Sequence, residues 1–177
     1  MMKIFIAGPR AISRLNKLVT EKLKSIIDHN YTILVGDANG VDKAVQIFCA
    51  QQKYRNVEVY VSQGKARNNI GNWNVNYVQV SKSLKGFDFY AAKDYEMAKD
   101  ADYGFMIWNG ISKGTLNNTI NLINMHKKTM LYYTPDKKLY MINSLNGMKE
   151  FIDRCEEQTK RVFVELINKN AQLKLNV

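Results

Sequence analysis

The sequence predicts an α/β protein with a mostly parallel central sheet that helices cover on both faces. Short apolar runs alternate along the chain with stretches whose apolar residues recur at helical spacing. Buried parallel strands are typically short apolar runs that are joined by helices. The 177 residues, 46% of them hydrophobic, suffice for one domain with a well-buried core. These observations together indicate a three-layer sandwich.

The first half of the chain contains four predicted strands and two predicted helices. Residues 3–7 are a continuous apolar run, as expected of a buried strand. Ser13 can cap a helix whose apolar positions extend from Leu15 to Ile27. The remaining elements are a strand at 31–35, a helix at 41–51, a strand at 57–61 and a short strand at 75–80.

The second half continues the alternation. A helical pattern at 90–101 leads to an apolar strand at 103–108, which ends in a polar loop before a helix at 116–125. A strand at 129–133 and an edge strand at 139–142 follow. Ser144 can cap a further helix that extends to about Cys155.

We assign residues 1–157 to a single domain and residues 158–177 to a C-terminal extension, which we expect to be helical because of its apolar spacing. The extension could pack on the domain or mediate self-association, and we expect a homo-oligomer. No stretch approaches the roughly 18 apolar residues that span a bilayer. The first apolar run is also too short for a signal peptide and is followed at once by Arg10. We therefore expect a cytoplasmic protein without a membrane partner.

The chain is strongly basic, with 26 basic and 16 acidic residues and a formal net charge of +10. Such an excess favours anionic partners and makes nucleic acid a candidate. The basic residues are scattered, however, so we interpret them mainly as solubilising charge. The two cysteines and two histidines lack metal-ligand spacing, and the sequence predicts neither a metal nor a cofactor.

The clearest functional signal is the polar loop that follows the strand at 103–108. The first amides of a helix have no partner inside it, and the aligned peptide dipoles make that end positive. Glycine lets a phosphate approach the backbone, hydroxyls can bind its oxygens, and a lysine adds positive charge. The loop therefore predicts a site for a nucleotide phosphate. Its candidate ligand-binding residues are Asn109, Gly110, Ser112, Lys113, Gly114 and Thr115.

Two other polar loops follow strands and should lie at the same edge, because ligands bind outside the carboxyl ends of parallel strands. All these residues also have a purely structural interpretation, since glycine, aspartate and asparagine are ordinary turn residues. Three such loops at one edge nevertheless favour a pocket for phosphate and sugar. The candidates are Gly8, Pro9 and Arg10 in the first loop, and Gly36, Asp37, Asn39, Gly40 and Asp42 in the second.

The segment 65–73 adds one further candidate. Arg67 follows the third strand and can bind a phosphate through two parallel hydrogen bonds. Trp73 is better interpreted as a hydrophobic anchor than as a surface for a base.

Catalytic chemistry is less clearly indicated. Cleavage of an N-glycosidic bond stabilises an oxocarbenium-like centre and often uses a carboxylate. Asp37, Asp42 and Asp94 are the candidates, and Asp37 could reach a ribose because it directly follows a strand. Spacing fixes no pair of carboxylates, and the chain has no complete P-loop.

Four segments together resemble the SLOG superfamily, a Rossmann-like group that contains DprA-type and LOG-type proteins. They are IAGPR at 6–10, GDANGVD at 36–42, KDYEMA at 93–98 and WNGISKGT at 108–115. The resemblance is closest to the YspA-like branch and covers about residues 3–133. It implies a Rossmann-like domain that binds nucleotides or nucleotide-derived signals, and some members cleave N-glycosidic bonds. Pro9 stands where serine is more usual, and no glutamate follows Thr115 as it does in LOG-type phosphoribohydrolases.

Three functions follow from these features. The leading hypothesis is a module that binds a nucleotide or nucleotide-derived molecule through its phosphate-binding loops, as a sensor or by sequestering it. The alternative is a nucleotide N-glycosidase or deoxyribosyltransferase-like enzyme. A further alternative is a nucleic-acid-binding module, from the charge and the DprA-type similarity.

Overall fold

A computed structural model describes residues 1–62, 64–81 and 83–175 of the chain. The strands are β1 (Lys3–Ala7), β2 (Thr32–Gly36), β3 (Val57–Val61), β4 (Asn74–Tyr77), β5 (Tyr103–Trp108), β6 (Thr129–Tyr133) and β7 (Lys138–Ile142). They form one sheet in the order β4-β3-β2-β1-β5-β6-β7. All neighbouring pairs are parallel except β6 and β7, which are antiparallel. The mostly parallel sheet of the prediction is confirmed.

The helices are α1 (Lys17–Asp28), α2 (Val41–Gln51), α3 (Gly86–Asp100), α4 (Lys113–Asn124), α5 (Leu145–Asp153) and α6 (Glu157–Leu175). The apolar sides of α1 and α2 share one core cluster with one face of the sheet. Those of α3, α4, α5 and α6 share a second cluster with the opposite face. The three-layer α/β sandwich is therefore confirmed.

The side chains of β1 alternate between the two core clusters, one on each face of the sheet. Ile4 and Ile6 belong to the cluster with α1 and α2, whereas Phe5 and Ala7 belong to the cluster on the other face. Successive side chains of a strand point to opposite faces, so a strand that is buried on both sides must be apolar throughout. Trp73 is buried beside α2, where its Nε1 donates to the carbonyl of Tyr54 at 2.9 Å. It is the predicted anchor.

Several predicted boundaries are wrong. Strand β4 ends at Tyr77 and not at residue 80, and α4 begins at Lys113 and not at residue 116. The starts of α1 and α3 also differ. The cap of α1 is Asn16 and not Ser13, because the Asn16 side chain accepts a hydrogen bond from the Val19 amide at 3.0 Å. Helix α3 begins at Gly86, earlier than predicted, because Phe87 extends its contact with the core by one turn. Polar residues interrupt that turn, which weakens its helical pattern in the sequence.

Helix α6 packs against the domain through Val162, Phe163 and Leu166, which are buried in the core cluster that includes α4 and α5. The division of the chain at residue 157 stays a prediction. None of the helices in the described ranges combines the length and the hydrophobicity that a membrane crossing requires.

The strand order creates a topological switch point. Strand β1 lies between β2 and β5. Helix α1, which follows β1, and helix α4, which follows β5, pack on opposite faces of the sheet. The connections after two such strands diverge and leave a crevice at their carboxyl ends, which is where open α/β sheets bind their ligands. The topology therefore positions the loops after β1 and β5 side by side.

Candidate functional site

A cleft of about 440 Å³ opens at this switch point. Its walls are residues 7–10 after β1, Ala38 and Asp42 around the start of α2, Arg67, one side of α3, and the first two turns of α4. The volume lies within the range of small-molecule sites, roughly 300–1,000 Å³. The three loops that the sequence analysis singled out all contribute to its lining.

The N-terminus of α4 presents backbone amides to the cleft. Of the four amides that a helix start leaves without an intrahelical partner, two are satisfied locally. The Ser112 amide donates to Asn109 Oδ1 at 3.0 Å, and the Thr115 amide donates to Ser112 Oγ at 3.4 Å. Within the described ranges the amides of Lys113 and Gly114 have no partner and remain available to an anion. The helix dipole favours negative charge at the same point.

The two glycines of this loop have different roles. A Cβ on Gly114 would meet no heavy atom within 4 Å, so the backbone there faces open space in the cleft wall. Gly110 has a φ of +82°, and a Cβ on it would lie 2.7 Å from Thr159 Oγ1. Gly110 therefore shapes the loop, whereas Gly114 leaves room for a ligand.

The loop after β1 packs tightly at its base and is open at its tip. A Cβ on Gly8 would lie 2.6 Å from Val41 Cγ2, so only glycine allows this approach to α2. The Pro9 carbonyl accepts from the Val41 amide at 3.3 Å. The exposed Arg10 guanidinium lies 4.8 Å from the ring centroid of Tyr90 on α3. Among the described residues, Arg10 has no ion-pair partner.

The loop after β2 is fixed by an ion pair between the buried Asp37 carboxylate and the partly exposed Arg67. The Asp37 carboxylate accepts three hydrogen bonds from Arg67: from the backbone amide at 3.1 Å, from Nε at 2.9 Å and from Nη2 at 2.6 Å. Burial alone would raise the pKa of Asp37, but the hydrogen bonds from Arg67 outweigh it and hold the pKa below its usual value. The guanidinium of Arg67 is thereby held 5.4 Å from the Tyr90 ring, at the cleft.

Asn39 and Gly40 support the same loop. Asn39 Oδ1 accepts from Asn68 Nδ2 at 3.2 Å. Gly40 has a φ of +84°, and a Cβ there would collide with the backbone of Arg10. These two residues join the second loop to its neighbours.

A buried polar cluster forms the floor of the cleft. Lys93 Nζ lies 2.6 Å from Asp94 Oδ1, and Asn118 Nδ2 donates to Asp94 Oδ2 at 3.1 Å. Lys93 Nζ and Asp42 Oδ2 both lie directly over Gly36, where a Cβ would collide with the carboxylate. Glycine at this position therefore admits the cluster.

Burial and mutual charge set the protonation of this cluster. Burial raises the pKa of Asp42 to about 7, although the nearby Lys93 opposes the shift. Burial alone would lower the pKa of Lys93, but the carboxylates of Asp94 and Asp42 overcome it and raise the pKa. Lys93 is thus a charged lysine on the cleft floor, balanced by acidic neighbours.

The cleft brings together part of the predicted site. The candidate ligand-binding residues that line it are Gly8, Pro9, Arg10, Asp42, Arg67, Ser112, Gly114 and Thr115. Those outside the lining are Gly36, Asp37, Asn39, Gly40, Asn109, Gly110 and Lys113, most of which shape or join the loops. The Lys113 ammonium ion lies 2.6 Å from Glu165 on α6. Of the catalytic candidates, Asp42 and Asp94 line the cleft and Asp37 does not.

Lys93 and Asn118 were not among the predicted site residues. Lys93 lies four residues before the buried Met97 and so shares its helix face, and a lysine on a buried face indicates a paired charge. Asn117 and Asn118 lie in the interior of a helix, where asparagine is unfavourable. These signals could have pointed to the cleft floor.

No protein-family model matches the chain, and no curated protein sequence matches it either. Two solved structures are similar to it. DNA processing protein A from Helicobacter pylori, described for its single-stranded DNA binding mode, has a TM-score of 0.56 and 12% identity over 94% of this chain and 81% of that one. DNA processing protein A (DprA) from Streptococcus pneumoniae has a TM-score of 0.52 and 17% identity over 93% of this chain and 56% of its own. At these identities the likeness establishes the fold, which is the Rossmann-like fold of the DprA proteins.

Proposed function

We propose that the protein binds a nucleotide or a nucleotide-derived molecule in the switch-point cleft, as a sensor or by sequestering it. The observation that carries the proposal is the start of α4, where the Lys113 and Gly114 amides remain as donors and Gly114 faces open space. Backbone amides at a helix N-terminus are a recurrent phosphate site. Membership of the YspA-like branch of the SLOG superfamily is part of this proposal.

The other walls suit the remaining parts of such a ligand. Arg10 and Tyr90 form a planar, cationic surface on which a base can stack or a second phosphate can bind. Arg67 offers a second guanidinium group, whose orientation Asp37 fixes. A rigid arginine loses less conformational entropy on binding.

Calorimetric titration with AMP, ADP-ribose, NAD and cyclic nucleotides tests the proposal. We expect at least one of them to bind, and we expect Gly114→Asp to weaken that binding at least tenfold, about 1.4 kcal/mol. The new carboxylate would lie at the phosphate site and repel it, while aspartate in a first turn is compatible with the helix. Light scattering on the same samples tests the expected homo-oligomer.

Gly147→Asp is the matched control, because Gly147 also lies in a first turn, that of α5, and is outside the cleft lining. We expect it to bind like the wild type. A folded wild-type protein that binds nothing in the panel contradicts the proposal, as does a folded Gly114→Asp variant with unchanged affinity.

A second candidate is binding of single-stranded nucleic acid. The similarity to a DNA processing protein A described for its single-stranded DNA binding mode favours it, together with the net charge of +10. Fluorescence anisotropy with a labelled single-stranded oligonucleotide at about 50 and 200 mM salt tests it. A protein that neutralises several phosphates loses affinity steeply over this interval, by orders of magnitude. Absence of a complex at the lower salt concentration removes this candidate.

Asp42 and Asp94 line the cleft, so the same experiment also tests the alternative of an N-glycosidase or deoxyribosyltransferase-like enzyme. Chromatography of the titrated samples detects any free base. Release of base that Asp94→Ala abolishes supports an enzyme, and unchanged nucleotide over long incubation supports binding without turnover.

A further inference from the structure

We propose that the Asp94 carboxylate receives the vicinal hydroxyl groups of a ribose, so that the cleft selects ribonucleotides over 2′-deoxyribonucleotides. The inference rests on the proposed function, since it assigns the sugar of the same ligand. Its basis is the geometry of the cleft floor.

Buried neighbours hydrogen-bond to the Asp94 carboxylate, and part of the carboxylate remains exposed to the cleft. Its Oδ1 receives Lys93 Nζ at 2.6 Å, and its Oδ2 receives Asn118 Nδ2 at 3.1 Å. The Lys93 side chain is only 4% exposed, whereas that of Asp94 is 20% exposed and lines the cleft. An ionised carboxylate accepts about four hydrogen bonds. Each oxygen of Asp94 therefore retains acceptor capacity, and both oxygens are fixed in orientation by buried neighbours.

Asn118 provides an independent sign that a donor group belongs here. Asn118 lines the cleft and is 2% exposed, and its Oδ1 has no hydrogen-bond partner among the described residues. A buried polar atom without a partner carries a desolvation cost of about 1–3 kcal/mol. Since the exposed part of the Asp94 carboxylate presents acceptors to the cleft, the complementary ligand group at Asp94 is a hydrogen-bond donor. Hydroxyl groups meet that requirement, and phosphate oxygens do not.

The spacing along α4 matches a sugar that is linked to a phosphate. Gly114 and Asn118 are four residues apart on one helix and share its cleft face, with an axial separation of about 6 Å. A phosphate on the amides of the first turn therefore places the attached group one turn along the helix, beside Asp94. A ribose 5′-phosphate has this arrangement, with its 2′ and 3′ hydroxyls at the end of the ring away from the phosphate.

Calorimetric titration with AMP, 2′-deoxy-AMP and 3′-deoxy-AMP tests the inference on the unmodified protein. We expect each missing hydroxyl to lower the affinity at least tenfold, because a site that is built to bind a hydroxyl is left with unpaired acceptors. We expect Asp94→Asn to weaken AMP more than 2′-deoxy-AMP, because AMP loses the contacts of two hydroxyls with the carboxylate and 2′-deoxy-AMP loses only that of its 3′ hydroxyl. The control is Asp88→Asn, because Asp88 lies on the same helix and pairs with Lys169 outside the cleft. It should leave all three affinities unchanged.

The outcomes separate this inference from the function on which it rests. Equal affinities for AMP and 2′-deoxy-AMP contradict the ribose assignment but not the proposed function. The same holds if neither of the two binds while another nucleotide of the panel does. An Asp94→Asn variant that weakens both nucleotides equally also contradicts it, because the carboxylate then acts on another part of the ligand. If no nucleotide of the panel binds to the folded protein, the proposed function fails and the inference fails with it.

Discussion

The ion pair between Asp37 and Arg67 predicts a large and pH-dependent loss of stability in the variant Asp37→Asn. The amide keeps the size of the side chain but removes its charge, and it turns an NH₂ group toward the donors of Arg67. Three hydrogen bonds to one buried carboxylate are affected. The change therefore tests whether this pair fixes the loop after β2.

The magnitude follows from the burial of the two partners. Breaking a fully buried pair costs about 3–5 kcal/mol, because an unpaired buried charge is left behind. The Asp37 side chain is 3% exposed, but that of Arg67 is 42% exposed and can return to water. We therefore expect a lower cost, about 2–3 kcal/mol. In a domain of this size that loss lowers Tm by about 4–12 °C.

Urea denaturation at several pH values measures the effect. The pKa of Asp37 in the folded protein lies below its ordinary value of 3.8, so the ionised form stabilises the fold. The stabilisation is complete above this ordinary value and disappears as the pH falls through the folded pKa. The difference between wild type and Asp37→Asn should thus be constant from about pH 7 to pH 5 and should shrink in stronger acid.

The control is Glu21→Gln, which removes the exposed pair between Lys17 and Glu21. Exposed pairs of this kind contribute little, typically below about 1 kcal/mol. The reasoning is refuted if Asp37→Asn costs no more than the control, or if its cost is the same in strong acid as at neutral pH.

Three further changes test other parts of the structure. Burial raises the pKa of Asp42 to about 7, so the free energy of unfolding of the wild type should fall relative to that of Asp42→Asn as the pH rises from about 4 to 7. The fall should be at most ~1.4 kcal/mol per pH unit. Urea denaturation across this range measures it, and a constant difference would show that Asp42 titrates normally. Gly110→Ala should cost about 1–3 kcal/mol through its positive φ and the contact with Thr159, as thermal denaturation will show. Phe163→Ala should cost about 3–5 kcal/mol in the same assay, whereas a small loss would indicate that α6 contributes little to the core.

Local pattern was sufficient to predict most elements of the fold. The alternation of apolar runs and helical stretches predicts the parallel sheet, because only helices on both faces bury such strands. The strand order was not predictable from these patterns, since each run is compatible with several neighbours. The cap of α1 was misplaced for a related reason. Ser13 and Asn16 are both good capping residues, and the contact of the helix with the sheet decides between them.

The candidate site was predictable only where the binding groups belong to one loop and do not depend on a distant partner. Ser112 and Gly114 were identified because a helix start has orphan amides wherever it lies. The partner of Asp37 was not identified, because Arg67 is thirty residues away in the sequence. Lys113 offered a free charge in the sequence, but α6 supplies Glu165 as its counter-ion. Charges are assigned to partners by the fold, and spacing along the chain does not reveal them.

These ion pairs decide how much positive charge the cleft offers. Arg67 is neutralised by Asp37, and Lys93 is neutralised by the acidic residues beside it. Arg10 is the cleft guanidinium without an ion pair within the described ranges. Much of the net charge of +10 lies elsewhere, for example at the lysines of α1, which forms no part of the cleft lining.

Under the proposed function, we expect the cleft to bind one nucleotide in preference to a nucleic-acid strand. A single strand is bound by cationic groups that follow several phosphates and by aromatic surfaces that stack successive bases. The cleft lining includes residues at the starts of α2, α3 and α4. It also includes the Tyr90 ring, to which both arginines lie close, and Arg10, the guanidinium without an ion pair within the described ranges. The attraction of the oriented α4 amides for an anion is confined to the first turn of that helix. One phosphate group satisfies the Lys113 and Gly114 amides, so the start of α4 accounts for one phosphate of a ligand.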